Sequence, residues 1–422
     1  MYLYFTFLQD IKNTLNKKKI INDPVYGFIS IPTDLIFDLI EHPYFQRLRY
    51  IKQLGMTHLV YPGALHTRFH HAIGALHLMS LAVETLKYKG QVITEAEEEA
   101  VSVAILLHDI GHGPFSHALE QLIVEGVWHE DISKLLMNEL NKQFDGRLTM
   151  AIEIFNGTYS KNFLHQLVSS QLDMDRMDYL NRDSFFTGVS EGVISSDRII
   201  KMLNVVDDHV VVEEKGIYSI EKFLIARRLM YWQVYLHKTV IAAEVQLTKI
   251  LKRAREVIQA GNELNCTPAL NHFLSNSINS EVFILEDSNL QTFAGLDDTD
   301  IMAAVKVWAS SKDFVLSKLC HDLINRNLYH VDITNELPDQ HKVDELTAKV
   351  AELYGISAHE ASYFVFTDNV RNNAYKQEDG SILILMKNGS VKDITAASDN
   401  SNLEALAKTV KKYILCYPKS LI

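Results

Sequence analysis

Between about residues 33 and 260, apolar side chains recur at three- and four-residue spacing, the period of one helix face. Leu35, Ile36, Leu39 and Ile40 form one stripe, Leu76, Leu78, Met79, Leu81, Ala82 and Leu86 a second, and Ala100 to Leu107 a third. Ahead of them, Asn22-Asp23-Pro24 reads as a turn and Tyr26 to Pro32 as a short extended segment, with Thr33 or Asp34 capping the next helix. The run His209 to Val212, within Val205 to Tyr218 and broken at Lys215-Gly216, predicts a small hairpin. One long helix is predicted from about Glu221 to Ala260.

After Cys266 the helical pattern shortens and polar residues increase, which predicts a helical appendage. From Gln340 an amphipathic helix runs to Tyr354, followed by a strand at Tyr363 to Thr367, a hairpin around Glu378-Asp379-Gly380, a strand at Ile382 to Met386, a turn at Asn388-Gly389 and a final helix. The expected organisation is a core over 1–262, a helical appendage over 263–339 and a small α+β region over 340–422. The fold class expected is mainly α. Scarce glycine (18) and proline (8) agree, because few positions interrupt long elements.

Composition narrows the function classes. Three dispersed cysteines, Cys266, Cys320 and Cys416, make neither a disulfide framework nor a cysteine-rich zinc site, and fit a reducing, cytoplasmic setting. The charge-free apolar stretches fall short of the ~20 residues a membrane span needs, so no membrane association is expected. Met1 to Leu8 is apolar but lacks a basic start and a small-residue cleavage site, and reads as mature protein. A net charge of −12 argues against nucleic acid as a partner and requires any anionic ligand to find a local basic pocket.

The main chemical signal is a cluster of histidines between positions 58 and 129, in apolar surroundings and beside carboxylates. Buried imidazole and carboxylate groups need partners, and one cation satisfies several. His66 and His70 have the spacing of a helical zinc motif, but Thr67 stands where its glutamate would be, which excludes that motif. The sharper feature is Leu106-Leu107-His108-Asp109-Ile110-Gly111-His112-Gly113, where adjacent His and Asp end an apolar helix and can reach one ion. His71 precedes it and Asp175 follows on another predicted helix.

These blocks resemble the HD-domain phosphohydrolases, whose ligands run His, His-Asp, Asp. They are most similar to the deoxynucleoside triphosphate triphosphohydrolase branch, which includes bacterial dGTPases and the vertebrate SAM-and-HD-domain enzyme. The resemblance rests on Asn22-Asp23-Pro24, the run Phe45 to Gly55, Tyr61 to His71, His108 to His117, Trp128-His129-Glu130, Asp173 to Asp183 and Arg227 to Lys238. It covers about residues 20 to 240, and no SAM domain is expected before residue 20.

The resemblance implies a helical HD core and metal ligation by His71, His108, Asp109 and Asp175, with Fe, Mn, Zn, Ni and Mg all open because mixed nitrogen and oxygen ligation selects none of them. It implies that His117 and His129 face the scissile phosphate, that Glu130 or Glu120 orients such a histidine, and that His112 helps contact the metal-bound phosphate. Arg68, Arg176 and Arg227 match triphosphate-holding positions, suited to guanidinium forks. Gln53, Leu54, Tyr179, Asp183 and Tyr235 match positions lining the deoxyribose and base pocket. Tyr231 and Leu236 depart from the vertebrate pattern, which has histidine and glutamine there.

The implied reaction is hydrolysis of a dNTP at the α-phosphorus, giving deoxynucleoside and inorganic triphosphate. The alternative keeps the metal site and acts on another phosphoester, a nucleoside monophosphate or a signalling nucleotide. Lys19, Asn22, Glu41, Gln46 and Arg49 fall on positions resembling an activating guanine-nucleotide site, with GTP or dNTP as activator and a homo-oligomer, dimer or tetramer, as the assembly.

Overall fold

A computed structural model describes residues 19–115, 118–372, 380–399 and 410–421. It is mainly helical, with three small sheets. The first is a hairpin, Ile20–Asp23 against Gly27–Ser30, whose turn is held by Asp23 Oδ1 accepting from the Val25 and Tyr26 amides. The predicted turn and extended segment are thus the loop and second strand of one hairpin. Thr33 caps the helix Asp34–Glu41 by accepting from the Ile36 amide, and that helix buries the predicted stripe Leu35, Ile36, Leu39 and Ile40.

The centre of the core is the helix Arg68–Tyr88, packed between Glu95–Leu107 and Met174–Thr187. Ala72, Ala75, Leu76, Met79 and Val83 are almost fully enclosed, as are Val101, Ala104, Ile105 and Leu106 on the neighbouring helix. Gly74 sets the approach of Met174–Thr187. A Cβ there would lie 2.0 Å from Asp178 Oδ1 and 2.1 Å from Arg182 Nη2, so only glycine lets these two side chains cross the helix surface.

The long helix expected from Glu221 to Ala260 is broken. Ile217–Met230 is α-helical, Tyr231–Tyr235 forms a π-helical turn, and Lys238–Gln259 resumes after Leu236. Apolar periodicity continues through the break, which hides it from a pattern reading, but the wider turn rotates the tyrosines relative to the preceding helix.

The predicted hairpin at Val205 to Tyr218 is Leu203–Val206 paired with His209–Glu213, turning at Asp207 and Asp208, both with positive φ. Lys215-Gly216 is therefore no hairpin turn and leads into the helix Ile217–Met230. Leu383–Leu385 adds to this sheet in parallel with Val211–Glu213, and Val391–Asp393 pairs beyond it. The chain's last sheet joins His330–Thr334, Val410–Tyr417 and Phe366–Asn372. The expected hairpin between the strands near 363–367 and 382–386 is not the pairing found, and Glu378-Asp379 lies outside the described residues. After Asn388-Gly389 the described residues form the short helix Ile394–Ala397 and the strand Val410–Tyr417, and the stretch 400–409 between them, on which the expected final helix can fall, lies outside the described residues. Among the described residues no helix is long and apolar enough to cross a membrane.

Candidate active site

His71 lies in the first turn of Arg68–Tyr88, His108 and Asp109 directly follow the helix Glu95–Leu107, and Asp175 lies in the first turn of Met174–Thr187. Three helix ends thus bring four side chains together. His71 Nε2 is 3.3 Å from His108 Nε2, 3.1 Å from Asp175 Oδ1 and 3.8 Å from Asp109 Oδ2. His108 Nε2 is 3.4 Å from Asp109 Oδ1 and 3.6 Å from Asp175 Oδ1. Such separations between donor atoms suit a shared ion with bonds of about 2.1 Å.

The tautomers point the same way. His71 Nδ1 donates to Asp178 Oδ2 at 2.7 Å, and His108 Nδ1 donates to the Ile105 carbonyl at 2.6 Å. Both Nε2 lone pairs then face each other inside a ring of carboxylates, an arrangement that a cation completes. Burial opposes charge on His71, but Asp175 and Asp178 overcome it and push the imidazole up to about 10, so that a cation would have to displace a proton from Nε2 before that lone pair could bind it. Burial likewise opposes ionisation of Asp109, yet His108, Arg68 and His71 hold its carboxyl down to about 2. The cluster is built to hold positive charge.

Behind His71 runs a fully enclosed chain of ion pairs. Arg182 grips Asp178 with Nε and Nη2, both at 2.9 Å, and donates from Nη1 to Asp23 Oδ2 at 2.7 Å. The N-terminal hairpin is thereby tied to His71 through two carboxylates and one guanidinium.

Beside the cluster opens a cavity of about 480 Å³, to which Asp109, Asp175, His112 and His129 contribute. Arg68, Arg176 and Arg227 all line it. Arg68 pairs with Asp109, Arg176 with Asp173, and Arg227 Nη1 donates to Gln171 Oε1 at 3.0 Å. Gln53, Leu54, Tyr179, Asp183, Tyr231 and Tyr235 line it as well. Tyr231 and Tyr235 sit four residues apart on the π turn with rings 5.3 Å apart, and Tyr179 meets Tyr235 edge-on at 6.2 Å. Asp183 is locked in place, accepting from Tyr235 Oη and from His66 Nε2, each at 2.7 Å.

His129 opens the helix His129–Gln143 and donates from Nδ1 to Glu120 Oε1 at 2.6 Å, while Glu130 Oε2 is 3.4 Å away on an exposed side chain. His112 stacks on His129 at 3.8 Å and places Nδ1 3.4 Å from Asp109 Oδ1. His117 lies outside the described residues.

Comparison with known proteins gives this geometry its family. A model of the HD domain matches residues 68–183, and one of an HD associated region matches 194–267. A Bacillus subtilis protein, the uncharacterized YwfO, is 34% identical over 97% of this chain and 94% of its own. The crystal structure of a phosphohydrolase from Bacteroides thetaiotaomicron is 54% identical with a TM-score of 0.93, covering 95% of this chain and 100% of that one. The chain belongs to the HD-domain phosphohydrolase family. A Dictyostelium discoideum protein named deoxynucleoside triphosphate triphosphohydrolase SAMHD1 homolog is 32% identical over 58% of this chain, which spans 51% of that relative's length.

HD domains bind divalent metal ions, and His71, His108 and Asp175 form a group able to hold one. The site also depends on two residues with little local signal in the sequence. Asp178 was visible only as part of a motif, since nothing local marks it as the partner of His71. Glu244 lines the cavity from the helix Lys238–Gln259, and its one signal is a lone acid within the apolar run Val240 to Val245.

The residues matched to an activating site fall on the N-terminal lobe. Arg49 Nε donates to Gln46 Oε1 at 2.8 Å, and Gln46 Nε2 donates to the Ile40 carbonyl at 2.7 Å, beside Glu41. The Arg49 guanidinium lies over the ring of Phe69 at 3.6 Å, next to Arg68, the first residue of the helix that carries His71. Lys19 lies over Phe37 at 4.7 Å, and Asn22 pairs with Phe28 in the hairpin.

Proposed function

We propose that the chain hydrolyses deoxynucleoside triphosphates at the α-phosphorus to deoxynucleoside and inorganic triphosphate. The observation that carries this is the cavity itself, which three arginines, Arg68, Arg176 and Arg227, line together with Asp109 and Asp175 of the His-Asp cluster and with Tyr179, Tyr231 and Tyr235. Three guanidinium forks match a triphosphate better than a single phosphoester.

In this reading His71, His108, Asp109 and Asp175 hold a divalent cation, of which Fe, Mn, Zn, Ni and Mg remain open. When bound, such an ion lowers the pKa of water and neutralises charge on phosphate oxygens. Arg68, Arg176 and Arg227 orient the triphosphate. His129, fixed by Glu120, supplies a proton to the leaving 5′-oxygen, with His117 as its partner in that role, Glu130 close by and His112 steering the phosphate. Tyr235, with Asp183 and Gln53, closes the sugar pocket, and a tyrosine against the 2′ edge excludes a ribose hydroxyl sterically. Tyr179, Tyr231 and Leu54 supply the remaining apolar contact. The protein works in the cytoplasm as a homo-oligomer, dimer or tetramer, and Lys19, Asn22, Glu41, Gln46 and Arg49 bind an activating GTP or dNTP.

The test is to incubate metal-replete protein with each dNTP and NTP, with and without GTP, and to resolve the products. Deoxynucleoside plus triphosphate supports the reading. Deoxynucleoside diphosphate plus orthophosphate, or activity confined to monophosphates, overturns it.

A further inference from the structure

The arginines and histidines of the cavity account for a triphosphate, but one carboxyl on its wall has no part in that chemistry. Glu244, on the helix Lys238–Gln259, faces the cavity together with Gln53, Leu54, Gly55 and Leu236. Its carboxyl rests against the backbone of Gly55, where a Cβ would come within 3.1 Å of Glu244 Oε1. Gly55 also has φ +49°, so a side chain is disfavoured there for two independent reasons.

This carboxyl is poorly supplied with donors. Burial pushes it up to about 7, with the Met56 backbone amide pulling the other way. A second acceptor shares the cavity, since Gln53 Oε1 is buried with no hydrogen-bond partner among the described residues. The anion-binding groups are committed elsewhere, Arg68 beside Asp109 and Arg176 beside Asp173. With the triphosphate at the arginines and the sugar at Asp183 and Tyr235, what reaches Leu54, Leu236 and Glu244 is the base.

We propose that Glu244 reads the edge of the nucleobase and selects for adjacent hydrogen-bond donors, as in guanine. The inference rests on the nucleotide reading given above. Guanine alone among the DNA bases places two donors, N1–H and the 2-amino group, side by side on its pairing edge. Two adjacent donors supply the buried Glu244 carboxyl with the partners that favour its ionised form, which is acceptor only and matches both. Adenine and cytosine set one donor beside an acceptor, and thymine sets one donor between two acceptors, so each leaves the carboxylate facing a lone pair or short of a donor.

The closest probe is the pair dGTP and dITP, which differ only in the 2-amino group. For the wild type, kcat/KM should favour dGTP on the order of tenfold, the scale of one hydrogen bond to a charged group. Glu244→Leu should abolish the ratio and Glu244→Gln, which keeps one acceptor, should restore part of it, with thermal melts confirming folded variants. Equilibrium binding of deoxyguanosine and deoxyinosine, which contain no phosphoester, repeats the comparison independently of turnover. Turnover of dNTPs with a ratio untouched by either substitution overturns the role of Glu244 and leaves the proposed reaction standing. A deoxyguanosine preference lost in Glu244→Leu, without triphosphate release from any dNTP, keeps the role and removes the reaction. Neither turnover nor base-dependent binding overturns both.

Discussion

Asp178 accepts a 2.7 Å hydrogen bond from His71 Nδ1 while both of its oxygens are gripped by Arg182. The carboxylate therefore fixes the imidazole's tautomer and ring orientation, and Nε2 is presented toward His108 and Asp175 before any ion arrives. Asp178→Asn should lower metal affinity about 10- to 100-fold. Metal titration of the purified variant, with helicity monitored by circular dichroism, measures this. Unchanged affinity would show that His71 needs no such support.

Asp109→Ala should remove bound metal and activity together while the helical fold persists, because Asp109 lies at a helix end and the core stripe Val101 to Leu107 is untouched. Metal analysis of the folded variant is the measurement. Full metal content with full turnover would exclude Asp109 from the ligand set.

Arg227 is largely buried and lines the cavity, and among the described residues Gln171 is its one hydrogen-bond partner. Arg227→Ala should raise KM for a dNTP about tenfold or more, the scale of a charge-assisted hydrogen bond, with a smaller change for a nucleoside monophosphate. Steady-state kinetics on both substrates separate a phosphate-holding role from a structural one, which would move both alike.

Glu97 provides a stability test remote from the site. It is 4% exposed. Burial opposes its charge, but Lys161 and Tyr159 and the Thr94 amide, all within 2.9 Å, hold the carboxyl down to about 2. A depressed carboxyl stabilises the folded state above its unfolded value near 4.5, and that stabilisation is lost as pH falls through about 2. Glu97→Gln should therefore cost about 1–3 kcal/mol at pH 7, and the gap to the wild type should close between roughly pH 4.5 and pH 2. Denaturant melts across that window check the sign.

Arg49 joins Gln46 to the ring of Phe69, one residue from Arg68 at the start of the helix that carries His71. If nucleotide regulation operates here, GTP or dNTP should shift the wild type toward a larger assembly and Arg49→Ala should blunt the shift, by no more than the ligand's differential affinity for the two states. Sedimentation with and without nucleotide decides it. A fully active monomer removes the assembly, and a constitutive oligomer indifferent to nucleotide removes only the regulation.

The helical core, the hairpin strand after Asp23 and the adjacent pair His108-Asp109 could be read from the chain alone, whereas His71 and Asp175 joined that pair only through the resemblance to the HD family. Apolar period and cap residues are local properties, and the His-Asp pair is adjacent in sequence, so each leaves a pattern within a few turns. Tertiary structure decided what depends on residues distant in sequence. It broke the helix at Tyr231–Tyr235, which apolar spacing alone leaves continuous, and it paired Leu383–Leu385 with the strand at His209–Glu213. Strand partners are chosen by burial across the whole fold, which no local run encodes. Asp178 and Glu244 belong to the same class, for a carboxylate's role is set by what packs against it, and here that is His71 across Gly74 and the open backbone of Gly55.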